Sequence, residues 1–154
     1  MCWRALLIHM DLHPWNFFDH DGEIIPFDFD DCVYSWFIAD IATALYYVTN
    51  EKSTVDGRRE VEWWPGSLDL SRGALISIFM DHFLSGYDKE NTLASVWLRH
   101  IPDFLRLRLL DLYIGKLMSW GSTDLSQSQL ENLNLHREAI ENDTWIDIGF
   151  EAFR

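Results

Sequence analysis

The segment FLRLRLLDLYIGKLMSW, residues 104 to 120, constrains the fold more than any other stretch. Pro102 restricts Ile101 away from the α region, so a break or kink is expected there. Asp103 then caps the segment, and Gly121 can stop it. The segment is apolar nearly all round, which predicts a central helix packed on several sides. A chain of 154 residues built around such a helix is long enough to bury a core.

Five further helices are expected around it. Ile38, Ile41, Ala42, Leu45 and Tyr46 recur at helical spacing from Phe37 to about Val48. Leu75, Phe79 and Phe83 mark one face of a helix ending near Gly86, and Ser126 with Gln129 forms a capping box for a helix through Ile140. Thr92 can cap a helix running to His100, and Thr144 starts a short last one. Residues 50 to 70 are polar and form a long connection, pinned by Trp63 and Trp64. No apolar run approaches the ~20 residues of a membrane span. The start of the chain lacks the apolar core and cleavage site of a signal peptide, so a cytoplasmic protein is expected.

The exception to this helical character is the first quarter. Phe17-Phe18 and Glu23-Ile24-Ile25-Pro26-Phe27 read as two short strands around Asp19-His20-Asp21-Gly22. Asp-Gly is the hairpin signal, because glycine accepts positive φ without penalty. Pro26 has no N–H and belongs at a strand end or sheet edge.

Within this quarter, HMDLHPWN (residues 9 to 16) and FDFDD (27 to 31) collect acids with no lysine or arginine between them. Crowded carboxylates repel one another unless a cation is shared. The whole chain is acidic, 25 acids against 12 bases and a net charge of -13, which disfavours nucleic acid and anionic membranes as partners. Cys2 and Cys32, the only cysteines, form no CxxC pair and no disulfide framework.

Three readings compete for the acids. In the first, the aspartates and histidines merely cap turns. In the second, His9, Asp11 and His13 alternate on one strand face as ligands of a transition-metal hydrolase; Pro14 directly after them, and the lack of a second His/Cys cluster, weigh against it. In the third, the parts are those of phosphoryl transfer. Asp11 and Asn16 stand five apart, as do the base and a metal ligand of kinase catalytic loops, and a further aspartate, Asp28, follows the hairpin. Mg²⁺ favours such oxygen ligands together with nucleotide phosphates.

LIHMDLHPWNFF, IIPFDFDD and FIADIATAL together resemble the aminoglycoside phosphotransferase/choline kinase superfamily, including homoserine kinase type II-like members. FLSGYDKE and IPDFLRLRLLDLY are similar to its helical substrate-side region. The resemblance implies the mainly α C-terminal lobe of a protein kinase-like fold, with a short β-hairpin. Residues 1–36 would be the catalytic loop and metal-binding hairpin, and 37–154 the helical substrate-side bundle of a single domain. It implies Asp11 as catalytic base, and Asn16 and Asp28 as Mg²⁺ ligands in the presence of ATP or GTP. His9, His13, Asp30 and Asp40 would be supporting residues, with Asp40 holding the loop backbone. Met10 and Trp15 stand where the family commonly has small residues.

Only eight residues precede His9, and no glycine occurs before Gly22. The N-terminal lobe with its phosphate-covering loop and lysine is therefore expected to be missing, leaving this chain inactive alone and prone to homo-oligomerise. The acceptor is expected to be a small molecule bearing a hydroxyl. The acidity, with Trp63, Trp64, Tyr87 and Trp97, suits a cationic or ring-bearing one, although such aromatics are more often core. A non-catalytic remnant that only binds or self-associates is the alternative from another class.

Overall fold

In the computed structural model, residues 6–49, 72–91, 93–121 and 123–143 are described. The connection over 50–70 with Trp63 and Trp64, the Thr92 cap and the helix from Thr144 lie outside them.

Five helices and two small sheets make up this part of the chain. The helices are α1 (Phe37–Thr49), α2 (Arg72–Tyr87), α3 (Ser95–Leu98), α4 (Ile101–Trp120) and α5 (Gln127–Asn142). The expected hairpin forms from β2 (Phe17–His20) and β3 (Glu23–Pro26), antiparallel, with Phe17 opposite Pro26 and His20 opposite Glu23. Its two-residue turn, Asp21-Gly22, has positive φ at both positions, the geometry that follows strand twist. The Gly22 N–H also donates to Asp19 Oδ1 at 3.0 Å. Pro26 closes β3, where its missing N–H costs no ladder bond.

A second pair, β1 (Leu6–Ile8) with β4 (Val33–Ser35), is also antiparallel and has Leu7 opposite Tyr34. It joins residues on either side of the whole acidic region, so the loop and the hairpin are enclosed between two paired strands. Nothing in local pattern announces three-residue strands this short.

The core lies between α1, α2 and α4. Ile38, Ile41, Ala42, Leu45 and Tyr46 from α1 meet Ile76 and Met80 from α2 and Ile101, Leu105 and Leu109 from α4. The α1 residues recur at three- and four-residue spacing, as one buried face requires. Phe37, Tyr87 and Trp97 pack against this core, with the Phe37 and Trp97 rings 5.3 Å apart edge to face. Tyr87 and Trp97 are thus packing residues.

The long helix differs from its expectation in two ways. Pro102 does not break it but sits in its first turn, where a missing N–H is harmless. The N-cap is His100, not Asp103; the Asp103 carboxylate lies in the first turn near the positive end of the helix dipole. Second, only one side of α4 is buried, by Ile101, Leu105, Arg108 and Leu109, whereas Leu107, Leu110, Ile114 and Met118 are exposed. One layer of helices covers α4, so its apolar far side faces outward among the described residues. Gly121, at φ 76°, terminates it as expected. Ser126 and Gln129 complete their capping box at the start of α5.

No helix among the described residues is long and apolar enough to cross a membrane.

Candidate active site

The site is the loop between β1 and β2, held from below by α1. Asp40, in the first turn of α1, accepts the His9 N–H at Oδ2 (3.1 Å) and the Met10 N–H at Oδ1 (2.7 Å). Met10 is thereby fixed at φ 66°, a left-handed conformation that side chains other than glycine seldom adopt. Asp11 follows directly, so the strained turn aims its carboxylate.

His9 joins the loop to the strand end beyond the hairpin. Its Nδ1 accepts the Asp11 N–H at 3.4 Å, so the proton is on Nε2, which donates to the Phe27 carbonyl at 2.9 Å. His9 is buried, with its ring 4.8 Å from that of Phe29. The Phe27 N–H donates to the Asn16 carbonyl at 2.9 Å, closing a backbone bridge between the loop and Asp28.

Four donors surround the Asp11 carboxylate. Arg108 Nη2 from α4 and the Tyr47 hydroxyl (3.0 Å) reach Oδ1; Asn16 Nδ2 (3.1 Å) and His13 Nε2 (3.3 Å) reach Oδ2. Nδ1 of His13 accepts the Trp15 N–H at 3.2 Å, which leaves Nε2 as the protonated nitrogen that donates to Asp11. Burial by itself would raise the Asp11 pKa. The His13 hydrogen bond, the charge of Arg108 and the Tyr47 hydrogen bond outweigh it and bring the pKa down to about 2. Asp11 is therefore a carboxylate at any physiological pH. Burial, with the Asp11 charge, pushes the Tyr47 phenol up to about 12, so it remains a donor.

Asn16 is buried, and its amide orientation is fixed by chemistry. Nδ2 donates to the Asp11 carbonyl (3.0 Å) and carboxylate, both acceptors, so Oδ1 faces away from them. That oxygen accepts nothing among the described residues. Asp28, at φ 61°, is exposed and its carboxylate has no hydrogen bond or ion pair among them. One amide oxygen and one free carboxylate, tied through Phe27, suit a hard divalent cation that also takes phosphate oxygens.

Asp11, His13 and Asn16 are brought together, and His9 and Asp40 secure the backbone that carries them. Asp30 is exposed and outside this network. The described residues hold no group of three or more His, Cys, Asp or Glu side chains able to bind a metal, so His9, Asp11 and His13 do not form a zinc-type triad. Both imidazoles are committed to hydrogen bonds instead. Sequence reasoning missed Arg108 and Tyr47. A signal for Arg108 exists: it lies on the Ile101–Leu105–Leu109 side of an apolar helix, and a charge there needs a partner. Tyr47 lies two turns after Asp40, on the same side of α1.

A helical lobe that presents such a loop beside a hairpin is part of a kinase-like fold. Residues 2–69 match the model of the phosphotransferase enzyme family. Amicoumacin kinase of Bacillus subtilis (strain 168) is 39% identical over 139 residues, covering 90% of this chain. A solved amicoumacin kinase in complex with AMP-PNP, Ca²⁺ and Ami superposes with a TM-score of 0.79 at 37% identity over 99% of this chain. The chain spans 37% of the length of the first relative and 42% of the second. These matches support the aminoglycoside phosphotransferase superfamily, of which the chain matches a part.

Proposed function

We propose that this chain carries the acceptor-side half of a small-molecule phosphotransferase site, with the γ-phosphate of ATP or GTP moving to a hydroxyl. The observation that carries this reading is the Asp11–Asn16 unit. One residue supplies an ionised carboxylate, and the other keeps an amide oxygen without a partner among the described residues, tied to the Asp28 segment through the Phe27 N–H. Asp11 orients the acceptor hydroxyl and takes its proton. Asn16 Oδ1 and Asp28 would hold Mg²⁺, which would neutralise phosphate charge; His9, His13 and Asp40 keep these groups in place. Phosphoryl transfer depends chiefly on positioning and charge stabilisation, so a site so firmly braced suits it. The complex of the solved relative with a nucleotide analogue, a divalent cation and a small molecule supports the same set of ligands here.

Isothermal titration calorimetry with Mg²⁺-ATP and Mg²⁺-GTP tests it. Micromolar binding that is lost in Asp28→Asn is the expected result; no heat at millimolar nucleotide with the wild type would refute it.

The second reading is self-association. Leu7, Phe18, Ile24, Tyr34 and Met118 are each more than half exposed, apolar surface that a second copy could cover. A homo-oligomer that covers these faces predicts a mass above that of the monomer by light scattering at low micromolar concentration. A monomeric mass refutes it.

A further inference from the structure

Arg108 stands 97 residues after Asp11, yet its side chain is only 6% exposed and points to that carboxylate. Arginine is rarely this buried without a role for its charge, because desolvating it is costly. Here the charge is shared. Nη2 serves both Asp11 Oδ1 and the Tyr47 hydroxyl (2.7 Å), Nη1 reaches Asp111 Oδ2 at 3.4 Å, and the guanidinium lies 5.5 Å from the centre of the Tyr47 ring. Nε is buried and has no hydrogen-bond partner among the described residues. The residue is thus anchored through its Nη atoms, at the expense of Nε.

A carboxylate offers about four lone-pair directions. Arg108, Tyr47, Asn16 and His13 supply four donors, two to each oxygen. An acceptor hydroxyl can therefore bond Asp11 only by displacing one of them. The Oδ1 donors come from two helices and also bond each other. On Oδ2, Asn16 is doubly anchored through the Asp11 carbonyl, whereas His13 has the longest contact of the four at 3.3 Å.

We propose that Arg108 and Tyr47 are a positioning pair that fixes Oδ1 of Asp11, so that Oδ2, by release of His13 Nε2, receives the acceptor hydroxyl. The inference rests on Asp11 being the group that takes the acceptor proton. In the transfer, the hydroxyl oxygen bonds the γ-phosphorus and its proton passes to Oδ2. The bond from the γ-phosphorus to the bridging oxygen breaks, and the nucleoside diphosphate leaves with that electron pair. Arg108 and Tyr47 touch neither substrate nor metal in this scheme. They hold the carboxylate in one rotamer.

The test reads the Asp11 side-chain rotamer by NMR couplings, and the Arg108 guanidinium protons, in the isotope-labelled full chain. In the wild type Asp11 holds one rotamer and the Arg108 Nη protons are individually resolved. In Arg108→Gln the Asp11 couplings become averaged over rotamers, and Arg108→Lys, which keeps a charged donor toward Oδ1, restores the single rotamer. A folded Arg108→Gln in which Asp11 keeps one rotamer overturns the proposal. Should Arg108→Gln fail to fold, the wild type still decides: one averaged Nη signal overturns the proposal. The measurement needs no nucleotide, so its outcome is independent of the calorimetry above.

Discussion

Replacing Asp40 by Asn removes one charge and one acceptor at nearly constant volume. In the wild type its two oxygens accept the N–H groups of His9 and Met10 at 3.1 and 2.7 Å. Hydrogen bonds to a charged group contribute about 1.5–3 kcal/mol each. Asparagine can keep one as a neutral bond, but must turn its NH₂ toward the other N–H and leave that donor unsatisfied. The expected loss is about 3 kcal/mol, a large share of the ~5–15 kcal/mol that holds a domain together. Guanidinium unfolding followed by circular dichroism would show a lower midpoint with an unchanged slope. Met10→Gly sharpens the test. Holding Met10 at φ 66° costs roughly 1–2 kcal/mol, which glycine avoids, less the entropy glycine adds to the unfolded chain. The net gain is up to about 1 kcal/mol in the wild type. It should shrink in Asp40→Asn, where the turn is no longer held. A loss below about 1 kcal/mol for Asp40→Asn, or strict additivity of the two changes, would refute Asp40 as the clamp of this loop.

Acid should act through Asp11. Its pKa is lowered in the folded state, so its stabilisation is complete above 3.8 and is lost as pH falls toward about 2. About 2 kcal/mol of stability is expected to vanish across that interval, and Asp11→Asn should flatten the acid limb of the stability curve. His136 behaves alike at higher pH. Burial lowers its pKa, with the Lys116 charge, against the opposing Asn132 carbonyl contact, so stability falls as pH drops below 6.5; His136→Gln removes that slope. Leu105→Ala, at a fully buried position, should cost about 2–5 kcal/mol in chemical denaturation. Ser126→Ala opens the capping box of α5 and should cost about 1 kcal/mol, read as a lower melting temperature.

Much of what has its cause within a few residues was legible in the chain, although Pro102 and Asp103 read as the break and cap of α4 and instead lie in its first turn. Asp21-Gly22 determines the hairpin turn because only a narrow set of residues accepts positive φ twice in succession. Ser126 and Gln129 satisfy each other's backbone groups three positions apart, and the apolar stripe of α1 follows from 3.6 residues per turn. The Asp11–Asn16 spacing likewise proved to be a contact, since one turn of loop brings the amide to the carboxylate. Tertiary structure alone decided the rest. Arg108 and Arg106 look alike in sequence, but helix phase and the packing of α4 on α1 bury the first against Asp11. The second remains in solvent, paired to Asp143 at the end of α5. The β1–β4 pairing and the exposed far side of α4 depend in the same way on distant segments. Periodicity states that a helix has an apolar face; only the neighbours that arrive decide which residues of that face lose water, and which charge is left to hold the base.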